Sequence, residues 1–188
     1  MAVGLGLAAA CGFRVFVPLL AMGVAVRTGH LAVSPGFSWV GGEAALIAFG
    51  VATVLEVAGY YVPWVDNLLD TVATPTAVIA GMLAAASVMT HMDPWLRWTV
   101  AVLAGGGVAT AVQSVTVAGR QLSSLTTLGL GNPILATLET ASSAILAVLS
   151  LLLPILALLL VALLFVLAVR WVLFRQPRAG RQGARSPT

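Results

Sequence analysis

Long runs of apolar residues alternate with short polar breaks along most of the chain. Each run is close to the ~20 residues that a helix needs to cross the hydrocarbon of a bilayer. Backbone groups in lipid must satisfy their own hydrogen bonds, so these runs predict helices rather than open strands. The pattern predicts an all-α integral membrane protein, a compact bundle of about six transmembrane helices, at residues 5–26, 44–62, 72–90, 98–118, 133–150 and 154–174.

The polar breaks carry residues that are typical of turns. Ser34-Pro35-Gly36, Pro63, Asp93-Pro94 and Asn132-Pro133 all fall between predicted spans. Tryptophan favours the interface between lipid and water, and every tryptophan of the sequence falls at a predicted span end: Trp39, Trp64, Trp95, Trp98 and Trp171.

The first and the last parts of the sequence depart from the simple pattern of one apolar run for one span. Pro18 cannot hydrogen-bond to the carbonyl of Arg14, so the first helix is predicted to be broken or re-entrant near Arg14. Residues 133–174 are almost continuously apolar and would form a helix of ~60 Å, about twice the hydrocarbon thickness. We therefore expect two helices that fold back between Ser150 and Pro154, although one long helix, and with it a total of five spans, stays an alternative.

Composition supports a membrane location. Hydrophobic residues make up 60% of the 188 residues and charged residues only 8%, whereas soluble domains carry roughly 25% charged residues. The net charge of +3 comes from nine arginines, which do not form the basic face that nucleic-acid binding needs. Nucleic acid is therefore excluded as a partner.

The arginines predict the orientation. Five of them lie between residues 170 and 185, where residues 175–188 read as a disordered, Arg-rich cytoplasmic tail after a transmembrane domain of residues 1–174. With six spans, both termini are cytoplasmic, and Arg120 is also on the inner side, whereas Arg27 and Arg97 are outside.

Charged residues at membrane depth are the candidate site, because each costs at least ~2.5 kcal/mol unless it is paired or faces water. In the six-span arrangement they converge on one cytoplasm-facing cavity. The predicted binding residues are Arg14, Glu56, Asp66, Asp70, Arg120 and Glu139.

Two further patterns are an internal similarity and a regular spacing of small residues. Residues 52–58 around Glu56 resemble residues 136–141 around Glu139, which suggests an inverted three-helix repeat, although chance is an equal explanation. Small residues recur every four positions, a spacing that favours close helix packing; they are Gly4, Ala8 and Gly12, Gly81 with Ala85, and Gly107 with Ala111.

Three stretches resemble an uncharacterised family of small bacterial membrane proteins that is catalogued as a domain of unknown function, DUF4126. They are residues 6–20, residues 62–70, and Ala118-Gly119-Arg120 followed by Asn132-Pro133 and Glu139. The resemblance covers nearly the whole chain up to the tail and implies a compact helical fold in a bacterial cytoplasmic (inner) membrane. It also implies an acidic pair where this chain has Glu139-Thr140, and it supplies no activity.

Two functions remain open at this point. The first is a transporter or channel for a small ion or an anionic solute, with Glu56 or Glu139 as a proton carrier. The second is a structural or assembly partner whose buried charges are interhelical ion pairs. No catalytic, cofactor or metal motif appears, so we expect no enzyme activity. The lipid bilayer is the expected partner, and a homo-oligomer stays open.

Overall fold

The computed structural model describes residues 1–62 and 65–174, and these residues form helices joined by short turns. The α-helices are α1 (Ala2–Phe13), α2 (Phe16–Arg27), α3 (Glu43–Gly59), α4 (Val65–Ser87), α5 (Pro94–Val100), α6 (Gly107–Thr127), α7 (Asn132–Leu152) and α8 (Pro154–Phe174). A 3-10 helix at Pro35–Gly41 precedes α3, and a π-helical segment at Ala101–Gly106 joins α5 to α6. The predicted tail at 175–188 lies outside the described residues.

Helices α1 and α2 form a hairpin. The chain leaves the helical conformation at Arg14, whose backbone is extended (φ −144°, ψ 133°), as the position of Pro18 predicts. Gly4 packs against Ala85 near the end of α4, and Ser87, at the same end, donates a hydrogen bond of 3.3 Å to the sulfur of Met22. The beginning of α1 and the middle of α2 therefore lie at the same level, so the chain reverses at Arg14.

The number of long apolar helices corrects the predicted count of six. Within the described residues, three helices are long and apolar enough to cross a membrane: Leu68–Ser87, Pro94–Thr127 and Asn132–Leu152. A fourth is added if α3 and its 3-10 helix, bent by 60°, form one span. The first predicted span fails because α1 and α2 have 12 residues each, or about 18 Å. The last falls short because the described apolar part of α8 is Pro154–Leu167.

The near-continuous apolar stretch after residue 132 does contain two helices, as predicted. They are separated at Leu153, which is not helical (φ −134°, ψ 65°) and precedes Pro154. Because α8 begins beside Gly6 of α1, the start of α8 lies at the same end of the bundle as the start of α1.

Helix α1 lies at the centre of the bundle and packs against α4, α6, α7 and α8. Its residues 7–11 are fully buried. Close approach depends on the predicted small residues: a Cβ on Gly12 would lie 2.7 Å from the carbonyl oxygen of Ala109, and a Cβ on Gly81 would lie 2.9 Å from that of Gly105. The exception is Gly107, which has no neighbour within 4 Å of a Cβ and lines an apolar groove between α1, α6 and α8.

The connections fall at two ends of the bundle. Gly4, the segment around Ser34 and the α4–α5 turn meet at one end, where the Ser34 amide donates to the carbonyl of Ser87. The α3–α4 and α6–α7 turns lie at the other end, beside the charged residues. Helices α3 and α7 run in opposite directions between these ends; an inverted repeat stays a prediction.

Candidate functional site

Arg14 lies at the tip of the hairpin and is 1% exposed. Because its backbone leaves the helix there, its side chain reaches the first half of α7. Its Nε donates to the hydroxyl of Thr140 at 3.0 Å, and Nη2 donates to the carbonyl of Ala136 at 2.9 Å. Nη2 also lies 3.3 Å from the Glu139 carboxylate. Nη1 is buried and has no hydrogen-bond partner among the residues that the structure describes, so within this part of the chain the guanidinium is hydrogen-bonded along one edge.

Glu56 accepts hydrogen bonds from the start of α2, which follows the break at Arg14. Its Oε1 accepts from the backbone N–H of Val15 at 2.8 Å, and its Oε2 accepts from that of Phe16 at 3.0 Å. These groups belong to the start of α2, where N–H groups have no partner within the helix. A carboxylate from α3 therefore caps α2 across 40 residues of sequence, and Glu56 itself is buried.

Arg120 joins three helices. Its Nε donates to Oε1 of Glu139 at 3.0 Å, and its Nη2 donates to Oε2 of the same carboxylate. Its Nη1 donates to Asp70 of α4 at 3.0 Å. Two parallel bonds between a guanidinium and a carboxylate are stronger than bonds between neutral groups and fix the geometry of the pair. Glu139 is thus held by Arg120 and approached by Arg14.

Tyr60 is the member of the site that the sequence analysis missed. The guanidinium carbons of Arg14 and of Arg120 each lie 3.9 Å from the centre of the Tyr60 ring, a distance typical of cation–π contacts. Tyr60 caps α3 four residues after Glu56. That spacing was a signal, because residues four apart share a helix face.

Five of the six predicted site residues therefore meet in one cluster around the hairpin tip. We call it the charge cluster: Arg14, Glu56, Asp70, Arg120 and Glu139, together with Tyr60. The sixth, Asp66, belongs to α4, but its side chain is outside the described part of the chain.

The predicted cytoplasm-facing cavity stays a prediction, and the charged side chains of the cluster contact one another directly. The side chains of Arg14, Arg120 and Glu139 are between 1% and 9% exposed, and Asp70, at 25%, is the more accessible partner. A buried charge without a partner is costly, so burial of this kind favours direct pairing of opposite charges. Among the described residues, no three His, Cys, Asp or Glu side chains are grouped as metal ligands would be.

Comparison with known proteins gives one match. No curated protein and no solved structure matches the chain. A family model described as "Domain of unknown function (DUF4126)" matches residues 1–173, which include every helix that contributes to the charge cluster. The chain therefore belongs to this family of unknown function, as its sequence motifs indicated.

Proposed function

We propose that the protein is an integral membrane protein with five membrane-crossing helices and one re-entrant hairpin. The crossings are α3, α4, the continuous helix of α5 and α6, α7, and α8. Support comes from the large apolar side chains that α8 exposes, among them Leu159, Leu163 and Phe165, all more than half exposed. Apolar surface on this scale is stable in lipid and unfavourable in water.

Five crossings change the proposed orientation. The N-terminus and the C-terminal end of α8 then lie on opposite sides of the membrane, instead of both on the cytoplasmic side. Arg120 and the C-terminal end of α8, after which four arginines follow in the sequence, lie towards one side, whereas Arg27 and Arg97 lie towards the other. The excess of arginine makes the side with the charge cluster the cytoplasmic one, in a bacterial inner membrane.

Within this fold, we propose that the charge cluster is a transport site for a small ion or an anionic solute. One observation carries the proposal: the break of the re-entrant hairpin lies inside the cluster, with Glu56 bonded to the N–H groups that the break exposes. Helices that are broken at a buried charged site recur in transporters, where the break lets backbone groups face the transported species.

The charge cluster has two features that suit a transport role. Its polar groups come from α3, α4, α6, α7 and the hairpin, so a small shift of the hairpin would change several contacts at once. Asp70 is its most exposed carboxylate and lies five residues after the start of α4. This carboxylate marks the proposed path from the cytoplasm to Arg14.

The proposal is tested by measuring the flux of small ions and anionic solutes into proteoliposomes across which a pH gradient is imposed. Purified protein is reconstituted as wild type, as the Glu56→Gln and Glu139→Gln double variant, and as Glu43→Gln. Glu43 is an exposed glutamate on the same helix as Glu56, so its substitution removes a carboxylate outside the cluster. We expect pH-dependent flux in wild type and Glu43→Gln, and none in the double variant. Equal flux in all three would refute the transport site.

A second function is favoured by the extent of the hydrogen bonding around the two glutamates and Arg120. Both oxygens of Glu56 and of Glu139 are bonded, and Arg120 donates from three nitrogens. A network of this kind also suits a structural or assembly partner in which the ion pairs only lock helices together. Under this proposal, exchanging the charges of Arg120 and Glu139 restores folding and every cellular phenotype. Under the transport proposal, the exchange restores folding and leaves flux lost.

A further inference from the structure

The two buried glutamates of the charge cluster have partners of different charge. Glu139 accepts two hydrogen bonds from the guanidinium of Arg120 and lies 3.3 Å from that of Arg14. The bonds that Glu56 accepts come from the uncharged N–H groups of Val15 and Phe16. No arginine among the described residues lies within ion-pair distance of Glu56.

The charges of the cluster do not balance. Two guanidinium groups, those of Arg14 and Arg120, face three carboxylates, those of Glu56, Asp70 and Glu139. Arg120 is shared between Glu139 and Asp70, and Arg14 turns towards Glu139. Glu56 is the buried carboxylate that these pairs leave without a full positive charge beside it.

The start of α2 offsets only part of this charge. A helix N-terminus acts as about half a positive charge on a nearby anion. The guanidinium pairs around Glu139 bring two full charges and direct hydrogen bonds. Of the two carboxylates, Glu56 therefore gains more from taking up a proton.

We infer that Glu56, and not Glu139, is the proton-binding group of the cluster, and that its protonation loosens the tip of the re-entrant hairpin. This inference rests on the proposed transport function, to which it assigns the proton as the coupled ion. A neutral carboxylic acid carries its proton on one oxygen, and that oxygen is a poorer acceptor, so one of the two bonds to Val15 and Phe16 is weakened. The cap that holds the start of α2 against α3 is then weakened at the point where the helix breaks.

Several titratable and charged groups surround Glu56, and each acts on this equilibrium. Arg14 at the break and Arg120 on α6 favour its charged form through space, although neither pairs with it. Glu139 and Asp70 hold these guanidiniums on their other sides. The remaining groups are Cys11 on α1 and Tyr60 on α3, which are both neutral near pH 7.

The test is an infrared difference spectrum, in which the carbonyl stretch of a protonated carboxylic acid is read directly on acidification. The chain contains three glutamates, Glu43, Glu56 and Glu139, so carbon-13 in the side-chain carboxyl of glutamate shifts their bands alone. Reconstituted wild type is compared with Glu56→Gln, Glu139→Gln and Glu43→Gln. We expect a band of a buried glutamic acid that shifts with the label, is lost in Glu56→Gln and remains in the other two.

Two results would overturn the inference: a buried band that is lost in Glu139→Gln and kept in Glu56→Gln, or no labelled buried band in wild type. Should Glu56→Gln fail to fold, Glu56→Asp serves instead, because the buried band must then lose its sensitivity to labelled glutamate. The spectrum needs no flux. A band assigned to Glu56 in a protein that transports nothing would therefore uphold proton binding while the transport proposal fails.

Discussion

Arg120 and Glu139 face each other across the turn that joins α6 to α7, and both carboxylate oxygens of Glu139 accept from the Arg120 guanidinium. Because Arg120 also bonds to Asp70 on α4, this pair ties three helices together near one end of the bundle. It fixes Glu139 as the anion that Arg14 approaches from the hairpin tip. The pair therefore connects the stability of the bundle to the position of the hairpin.

Removing Arg120 is expected to destabilise the protein strongly. Arg120→Ala leaves Glu139 and Asp70 without their shared cation, and breaking a buried ion pair in this way typically costs about 3–5 kcal/mol. Arg120→Lys restores the charge but not the two parallel bonds, so its loss should be intermediate. The measurement is the free energy of unfolding in mixed detergent micelles titrated with SDS.

Arg27→Ala is the matched control for Arg120, since Arg27 is exposed at the end of α2. Its substitution should change the free energy of unfolding by less than about 0.5 kcal/mol. Equal losses for Arg27→Ala and Arg120→Ala would show that the ion pairs do not stabilise the bundle.

The Tyr60 ring is expected to stabilise the bundle through its aromatic face, which contacts the guanidiniums of Arg14 and Arg120. Tyr60→Phe keeps an aromatic face against the guanidiniums of Arg14 and Arg120 and should be close to wild type in stability. Tyr60→Leu removes two cation–π contacts and should cost about 1–3 kcal/mol in the free energy of unfolding. If Phe is as damaging as Leu, the hydroxyl, and not the ring, carries the contribution of Tyr60.

Gly81 of α4 lies in a tightly packed position, whereas Gly107 of α6 faces open space. A Cβ on Gly81 would lie 2.6 Å from the Cβ of Ala109 and 2.9 Å from the carbonyl oxygen of Gly105. Gly81→Ala should therefore destabilise the bundle by about 1–3 kcal/mol through overpacking. Gly107→Ala meets no atom within 4 Å and should be neutral or stabilising by up to ~1 kcal/mol, because alanine favours helix.

The hairpin predicts from which side of the membrane individual residues can be labelled. Single cysteines are introduced at Ala2, His30 and Leu130 in a Cys11→Ala background and labelled with a maleimide that does not cross the membrane. Because α1 and α2 reverse at Arg14, Ala2 and His30 should be labelled from one side and Leu130 from the other. Labelling of Ala2 and His30 from opposite sides would show that residues 2–27 cross the membrane as one span.

Local chemistry made much of this fold predictable. Pro18 predicted the break at Arg14, because proline cannot continue the hydrogen bonds of a helix. The excess length of the apolar residues 133–174 predicted that α7 and α8 are separate helices. The direction of the chain after the first break was not predictable in the same way. A break permits either continuation or reversal, and packing of Gly4 and Met22 against the end of α4 decides for reversal.

Most of the site was also predictable, since charge is rare in this sequence and expensive in lipid. The sequence could not assign partners, however. Arg120 lies beyond the predicted span 98–118, but α6 continues to Thr127 and the side chain of Arg120 is buried. The Tyr60 ring was missed because an aromatic residue near a span end also fits the lipid–water interface.

The most direct test of a transport site at the hairpin tip is proton-coupled flux in proteoliposomes that contain Glu56→Gln or Glu43→Gln. The two variants remove the same charge from the same helix, one inside the charge cluster and one at the exposed start of α3. Loss of pH-dependent flux in Glu56→Gln, with wild-type flux in Glu43→Gln, is the predicted result. Wild-type flux in Glu56→Gln would contradict a transport site at the hairpin tip.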